Sequence, residues 1–372
     1  MVIPFMAIYC IKILHFDVTQ LGWIMAMFGI GSICGAFLGG KLTDKIGFYD
    51  PQIFALLSGG VLFIITGFVH TFLNLAIACF ILSFFNESFR PANSAAIAYY
   101  SSAENKTRSY SLNRLAVNLG WSVGTGLGGI LAFYSYHYLF WVDGCTNIIA
   151  ALILIKLIPR SHIVKPIKEK AELTAHSSAY KDKIYLIFIA LMVLFATCFF
   201  QLFTMQPLFF KTVWLFNERV IGALMAFNGI LIAVIEMVII HQLEGRRPPL
   251  HYIVYGVLIT GMGFILLNLM PGVLISGIVV MMFITIGEIM ALPFMNSFWI
   301  ARTSPHNRGE YAALYTMAWS TAQVIAPILG TQIILRSGFG MLWWQVGGVC
   351  LVAAVGFGIL NRHLIGLKSI RV

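Results

Sequence analysis

The stretch "GGKLTDKIG", residues 39–47, decides how the rest of the chain is interpreted. It ends the apolar run 20–41, which is long enough to cross the ~30 Å hydrocarbon core of a bilayer, a distance that takes about 20 helical residues. Three charged residues between two glycines close the run: Gly40, Lys41, Asp44, Lys45 and Gly47. Because charges are costly inside hydrocarbon, this pattern indicates the point at which a membrane helix leaves the bilayer.

The composition of the whole chain agrees with that interpretation. Hydrophobic residues make up 59% and charged residues 10% of its 372 residues, whereas a soluble domain carries roughly 25% charged residues. Apolar runs of spanning length lie at 20–41, 52–70, 73–100, 109–132, 138–158, 184–210, 220–241, 252–270, 272–300, 308–335 and 340–361. The sequence therefore predicts an all-α membrane protein.

A further apolar segment, residues 1–14, is too short to span a bilayer. It lacks the basic leading region and the small-residue cleavage site of a signal peptide. We interpret it as the outer half of a first span and expect the authentic protein to begin upstream of Met1. A short interfacial helix is the alternative.

Basic residues are distributed unevenly over the predicted loops. Of the 24 Lys and Arg residues, 19 fall on one side of the spans, four on the other, and Arg90 lies within a span. Since short loops rich in Lys and Arg stay in the cytoplasm, we expect a multi-pass protein of the cytoplasmic (inner) membrane with a cytoplasmic C-terminus. The net charge of +10 reflects this topology, so no nucleic-acid partner is needed to explain it. The polar stretch 159–183 is a predicted cytoplasmic linker between six-helix bundles at 1–158 and 184–372. Binding of anionic lipid by its lysines is the alternative interpretation.

The two predicted bundles contain an internal repeat. "LGWIMAMFGI" (21–30) aligns with "IGALMAFNGI" (221–230). The same offset of 200 residues pairs Asp44 with Glu244. An offset of 202 residues pairs Pro91 with Pro293 and Asn105 with Asn307. Because six spans precede the linker, both halves enter the membrane in the same direction. This predicts two halves related by an axis along the membrane normal, with a cavity between them.

The sequence predicts no cofactor and no metal site. The six cysteines are single residues without CxxC spacing, and the nine histidines are scattered. "GAFLGGKL" (35–42) resembles a phosphate-binding loop but has Leu42 where a magnesium-binding Ser or Thr is required, and "GTGLGG" (124–129) lacks the strand and acid of a dinucleotide site. Glycines four residues apart instead predict smooth faces for close helix packing. They are Gly31, Gly35 and Gly39 on one span and Gly120, Gly124 and Gly128 on another.

The end of the opening stretch resembles the signature loop of the major facilitator superfamily. The matching residues are Gly40, Asp44, Lys45 and Gly47. Residues 48–50 depart from the family pattern, which usually has basic residues there. In the family, the acid at the Asp44 position pairs with the positive end of a helix from the other half and holds the cytoplasmic side shut. The resemblance therefore implies a conformational latch at these residues and at Glu244.

Further segments extend the resemblance over the chain. "NLGWSVGTGLGG" (118–129) looks like the family's antiporter-associated glycine motif, with Thr125 where a proline is usual. "GEIMALPFMN" (287–296), "RGEYAAL" (308–314) and "APILG" (326–330) resemble the drug:proton antiporter branch. The resemblance implies a 12-span major facilitator fold, its first span truncated, with two six-helix halves around a central cavity.

Charged residues at membrane depth are the candidate proton-coupling groups, because charges in hydrocarbon are expensive. They are Glu87, Arg90, Glu236 and Glu288. Glu87 and Arg90, three residues apart, share a helix face and are expected to pair. Glu288 lies one residue from the repeat equivalent of Glu87. A purely structural contact is the alternative for the pair and for Glu236.

Polar and aromatic side chains at helical spacing are the candidate walls of a substrate cavity. On the fifth span they are Arg114, Asn118 and Ser122, and on the eleventh they are Tyr311, Tyr315, Trp319 and Gln323. Aromatic faces also serve helix packing in membranes, which is the alternative for the second set. Aromatic walls with few fixed charges would suit an amphipathic or cationic organic solute.

These observations predict a secondary active transporter, a monomer in the lipid bilayer that moves a small organic solute by alternating access. Proton-coupled efflux is the first hypothesis, proton-coupled uptake of a peptide or sugar is the second, and a transporter-like sensor is the third. An enzyme is not expected, because the sequence has no HExxH motif, no nucleophile elbow and no His/Asp cluster at membrane depth.

Overall fold

The chain is almost entirely helical in a computed structural model. The structure describes residues 1–101, 106–158, 178–303 and 308–369. Residues 159–177, which form most of the predicted linker, lie outside the described residues, as do Asn105 and Asn307 of the repeat. The all-α prediction is confirmed.

Twelve α-helices are assigned within the described residues. They are α1 (Val2–Ile8), α2 (Val18–Ile46), α3 (Tyr49–Thr66), α4 (Phe72–Tyr100), α5 (Lys106–Tyr134), α6 (His137–Leu157), α7 (Lys183–Phe199), α8 (Gln201–Thr212), α9 (Glu218–Leu243), α10 (Pro249–Leu269), α11 (Leu274–Ala301) and α12 (Arg308–Ser369). A π-helical turn, Tyr9–Ile13, follows α1.

Ten helical segments of the described residues are long and apolar enough to cross a membrane. α7 and α8 together form one of them, Lys183–Thr212, and α12 supplies another, Glu310–Gly366. The backbone of α12 leaves the helical conformation at Gly338, where φ is 79°, and the sequence predicts separate eleventh and twelfth spans on either side of that point. α10 ends at Leu269, within one residue of its predicted end. The count of twelve spans stays a prediction.

The internal repeat extends to the backbone conformation. His15 and Leu215, 200 residues apart, both have positive φ, at 56° and 57°. Asp17 and Asn217 then each accept a hydrogen bond through a side-chain oxygen from the backbone N–H three residues later, at 2.8 Å and 3.0 Å. Such a cap satisfies an N–H group that the first turn of a helix leaves unpaired. The same local signal therefore begins α2 and α9.

The chain forms two compact units. Unit 1 comprises Met1–Lys168 together with Asn217–Ala223, and unit 2 comprises Glu169–Phe216 together with Leu224–Val372. The first residues of α9 therefore belong to unit 1 and the rest of that helix to unit 2. The predicted halves, 1–158 and 184–372, instead place all of α9 in the second half.

Close packing of α2 on α4 organises unit 1. A Cβ atom at Gly31 or Gly35 would collide with backbone carbonyl oxygens of α4, and one at Gly39 would lie 2.7 Å from the Cα atom of Ser88. This confirms the predicted smooth face on α2. On α5 the prediction holds only in part, because Gly120 has open space around it among the described residues.

The first turn of α9 is fixed to α5 and α6 within unit 1. Tyr136 Oη donates to Glu218 Oε1 at 2.7 Å, and the Arg219 guanidinium lies 3.8 Å from the centre of the Phe133 ring. Burial, followed by the hydrogen bond and charge of Glu218, raises the pKa of Tyr136. Tyr136 therefore remains a neutral donor at physiological pH.

Candidate functional site

Unit 1 carries an acid and a base one turn apart on α4. Arg90 Nε lies 3.0 Å from Glu87 Oε2, so the two residues form the expected ion pair. The Glu87 side chain is 16% exposed and that of Arg90 is 77% exposed. A half-buried carboxylate is thus paired with a largely exposed cation.

A proline lies close to each of the two membrane acids. Pro91 is inside α4 and Pro293 is inside α11. Since proline has no N–H, the carbonyls of Glu87 and Ile289 lose the partner that the residue four positions later normally supplies. Glu87 and Glu288 therefore lie at, or next to, a gap in the helical hydrogen bonding.

Unit 2 carries a cluster of polar side chains around Glu288 of α11. Asn228 of α9 donates through Nδ2 to Glu288 Oε2 at 3.2 Å and to Thr285 Oγ1 at 2.9 Å. Thr285 Oγ1 in turn donates to the Met281 carbonyl at 2.6 Å. Asn228 and Thr285 are buried. A hydrogen bond to an ionised carboxylate is stronger than one between neutral groups, so this amide holds the Glu288 carboxylate in a fixed position.

Two more polar side chains are buried in unit 2. Gln206 of α8 donates through Nε2 to Met281 Sδ at 3.4 Å, and its Oε1 has no hydrogen-bond partner among the described residues. Glu236 of α9 is 5% exposed. Leaving a buried acceptor unpaired costs about 1–3 kcal/mol. Gln206 Oε1 can therefore still accept a hydrogen bond from a further donor inside the unit. Proton coupling by Glu236 stays a prediction.

The candidate cavity residues on α5 differ in exposure. Arg114 is exposed, Asn118 is half-buried and Ser122 is buried. The Ser122 carbonyl accepts from Thr125 Oγ1 at 3.2 Å. The three candidates therefore do not present one uniformly open stripe, and their contact with a solute stays a prediction.

Asp182, which the sequence interpretation missed, organises a network at the start of α7. Its Oδ2 lies 2.7 Å from Arg302 Nη2 and accepts from Tyr311 Oη at 2.9 Å, while its Oδ1 accepts from the Tyr185 N–H at 3.1 Å. Burial opposes ionisation, but the hydrogen bonds from Arg302, Tyr185 and Tyr311 and the charge of Arg302 outweigh it and lower the pKa of Asp182.

This network includes Tyr311, one residue of the predicted aromatic stripe. Tyr311 is 2% exposed, and its carbonyl also accepts from Tyr185 Oη at 2.6 Å. Its ring and hydroxyl therefore make contacts inside unit 2, and its contact with a solute stays a prediction. The helical spacing of the sequence puts Tyr311 on the stripe. Helical periodicity alone does not reveal which side chains a neighbouring helix covers.

The remaining residues of the stripe pack with other aromatic rings of unit 2. The Trp319 ring lies edge-on to Phe199 and Phe200, with centroid distances of 6.1 Å and 5.9 Å. The Tyr315 ring is 5.8 Å from that of Trp299, and Gln323 is half-buried. Edge-to-face pairs of this kind stabilise packing, while the half-buried faces of Tyr315 and Trp319 stay candidates for contact with a solute.

The candidate latch residues lie at the C-terminal ends of α2 and α9. They are Gly40, Asp44, Lys45, Gly47 and Glu244. Asp44 and Glu244 are both exposed. Each helix is followed by a glycine with positive φ, 89° at Gly47 and 77° at Gly245, a conformation that glycine adopts without strain. The two helix ends are thus built alike, and the latch itself stays a prediction.

Asn228 and Thr285 are the other polar residues that sequence reasoning missed. Asn228 falls inside the repeated stretch, at the position where the first half has Phe28. An amide in place of an aromatic ring within an apolar span is a signal of a buried polar contact. Thr285 precedes Glu288 by three residues and so shares its helix face. The replacement of Phe28 by Asn228 in the second half of the repeat is thus the sequence signal for the polar cluster around Glu288.

Similarity to known proteins extends along most of the chain. Residues 1–320 match the family described as Major Facilitator Superfamily. A Na(+), Li(+), K(+)/H(+) antiporter of Planococcus maritimus is 22% identical, over 92% of this chain and 87% of that protein. Multidrug resistance protein 2 of Bacillus subtilis (strain 168) is 22% identical, over 89% of this chain and 83% of that protein. A solved structure of the peptide transporter POT has a TM-score of 0.80 at 14% identity, over 96% of this chain and 91% of that chain.

Proposed function

Because the chain belongs to the Major Facilitator Superfamily of membrane transporters, we propose that it exports a small organic solute in exchange for protons by alternating access. Proteins of this family are transporters and not enzymes, so the membrane acids are assigned to coupling and not to catalysis. The protein is a multi-pass membrane protein, and we place its linker and C-terminus in the cytoplasm from the distribution of Lys and Arg.

The observation that supports proton coupling is the presence of an acid at a nearly equivalent position of each half, since Glu288 lies one residue from the repeat equivalent of Glu87. Glu87 contacts Arg90 at 3.0 Å, and Glu288 accepts from Asn228 at 3.2 Å. Desolvation favours the neutral form of a carboxyl group, whereas a nearby cation favours the ionised form. Movement of Arg90 away from Glu87 would therefore bind a proton, and its return would release one.

The names of the relatives support exchange of a solute against protons. One relative is named as a cation/H(+) antiporter and another as a multidrug resistance protein. The half-buried faces of Tyr315 and Trp319 favour an amphipathic or cationic organic solute, since aromatic faces attract cations. Proton-coupled uptake is the second candidate, because the peptide transporter POT shares the fold.

Transport in proteoliposomes under an imposed pH gradient tests the proposal. We expect the cationic dye ethidium to accumulate when the lumen is acidic, with protons leaving as the dye enters, and a protonophore to abolish the accumulation. Accumulation of dialanine when the outside is acidic, with no response of ethidium, would favour proton-coupled uptake. A protein that supports neither accumulation nor counterflow of either probe would favour a sensor.

A further inference from the structure

A cavity of about 390 Å³ lies inside unit 1, between α3, α4, α5 and α6. Small-molecule sites typically have volumes of about 300–1,000 Å³ and combine apolar walls with a few placed polar groups. This cavity has that character. Its apolar lining consists of alanine, leucine and isoleucine side chains, and its polar lining consists of Gln52, Asn93, Tyr100, Ser101, Ser109 and Asn113. It does not include the membrane acids Glu87 and Glu288.

Gln52 of α3 is the most informative residue of the lining. It is 3% exposed, yet its carboxamide has no hydrogen-bond partner among the described residues. Gln52 is not among the described side chains whose unpaired polar atoms are shut off from solvent, so its amide reaches the open cavity, where a bound molecule can take the place of water. Since Gln52 borders the cavity, its donor and its acceptor are both available to a bound molecule.

Asn93 and Asn113 supply a second polar patch on the same wall. Asn93 Nδ2 donates to Asn113 Oδ1 at 3.2 Å, which joins α4 to α5. Each carboxamide has two N–H donors and one oxygen acceptor. The Asn93 oxygen and the Asn113 amino group therefore have no partner among the described residues. Together with Gln52, three carboxamides border one cavity.

The chemistry of the lining selects the class of ligand. The described lining residues carry no group that is charged at neutral pH, so none of them supplies a counter-charge to a charged ligand. Carboxamides donate and accept at once, and so they match a ligand group that does the same. We propose that this carboxamide cavity binds a neutral amphipathic organic molecule through an amide, lactam or hydroxyl group. This site goes beyond the proposed function, since binding there needs neither a proton gradient nor transport.

Equilibrium binding to the purified full-length protein in nanodiscs, without a gradient, tests the proposal. The probe is radiolabelled chloramphenicol, a neutral molecule with an amide, two hydroxyl groups and an apolar ring. We expect saturable binding that Gln52→Leu weakens about fivefold, the size of one lost hydrogen bond. The matched control is Gln345→Leu, the same change at an exposed position of α12, and it should bind as the wild type does.

A second variant keeps the test independent of how well Gln52→Leu folds. Ala116 lines the cavity from an exposed position on α5, so Ala116→Trp is expected to fill the cavity without disturbing the packed interior. We expect it to weaken chloramphenicol binding by about tenfold or more at unchanged thermal stability. Absence of saturable binding to the wild type, or binding that survives both variants, would overturn the proposal. Either result would leave ethidium transport intact, so the proposed function is tested separately.

Discussion

The acids of the two halves have different chemical surroundings. Glu87 in unit 1 has a cation as its partner, Arg90, whose side chain is 77% exposed. Glu288 in unit 2 accepts from Asn228, a neutral amide that is 3% exposed. Both acids lie beside a proline of the internal repeat. Nearly equivalent positions of the repeat thus make an ion pair with an exposed cation in one half and accept from a buried neutral donor in the other.

This difference separates two ways of using a carboxyl group in a membrane. The affinity of Glu87 for a proton depends on the distance to a charge, because a nearby cation stabilises the ionised form. The contact of Glu288 with Asn228 comes from a side chain fixed between two helices, so it changes little unless α9 and α11 separate. We infer that Glu87 is the group that exchanges the proton and that Glu288 is a positioned acid.

Among substitutions that leave both membrane acids in place, removal of the cation should have the largest effect on transport. Arg90→Ala leaves Glu87 without the charge that stabilises its ionised form, so Glu87 should hold its proton to higher pH. We expect gradient-driven transport at neutral pH to fall by about tenfold, the ratio that corresponds to a one-unit change in proton affinity, and the pH optimum to move upward. Initial rates measured over a pH series check this, with Arg90→Lys as the charge-conserving control. An unchanged pH profile in Arg90→Ala would show that the pair is structural.

Removal of the neutral donor should act on stability more than on the pH profile. Asn228→Leu leaves Glu288 and Thr285 without the amide hydrogen bonds, at a cost of about 1–3 kcal/mol. We expect the midpoint of thermal unfolding to fall by several degrees and the pH optimum of transport to stay where it is. Asn361→Leu, at a half-buried position of α12, is the matched control. A shifted pH optimum in Asn228→Leu would assign proton exchange to unit 2 and break the distinction between the halves.

The latch residues offer a smaller contrast between the halves. Asp44→Asn removes a charge at the end of α2, and interaction with a helix terminus is worth ~0.3–1 kcal/mol. We expect transport to fall by about two- to fivefold, with expression unchanged because Asp44 is exposed. Glu244→Gln is the comparison variant. If Asp44→Asn transports as the wild type does and Glu244→Gln does not, the latch belongs to the second half.

The smallest effect on transport is expected at an ion pair outside the spans. The pKa of Asp182 is lowered in the native protein, so its contribution to stability is present above the ordinary value of about 3.9 and is lost as pH falls through the lower native value. The difference in thermal stability between the wild type and Asp182→Asn should therefore be constant near neutral pH and shrink in strong acid. Transport should keep its pH optimum in Asp182→Asn. A shifted pH optimum in Asp182→Asn would mean that loss of an ion pair unrelated to proton exchange also changes the pH dependence of transport. The shift in Arg90→Ala would then not identify Glu87 as the coupling group.

Features set by local sequence were predictable. The helices follow from apolar runs, the Glu87–Arg90 pair follows from a spacing of three residues on one helix, and the close packing of α2 follows from its glycines. The acid at the end of α2 recurs at the end of α9, as Asp44 and Glu244, while the latch itself stays a prediction. Each of these depends on residues within a few turns of one another.

Features set by contacts between distant helices were not predictable. Asn228 meets Glu288 across 60 residues, and Tyr311 meets Asp182 across 129 residues. Helical periodicity shows which side chains share a face but not which neighbouring helix covers that face. For the same reason the burial of Tyr311 against α7 could not be predicted, and the carboxamide cavity around Gln52 had no signal in the sequence.

The most direct test of the claim that Glu87 exchanges the proton compares Glu87→Gln with Glu288→Gln in the same proteoliposome assay. Gradient-driven accumulation and substrate counterflow are measured for each variant. We expect Glu87→Gln to lose gradient-driven accumulation and to keep counterflow, because solute binding survives while proton exchange is lost, and we expect Glu288→Gln to keep gradient-driven accumulation at a reduced rate. Full proton-driven accumulation by Glu87→Gln, together with its loss in Glu288→Gln, would contradict the claim and assign the coupling acid to the C-terminal half.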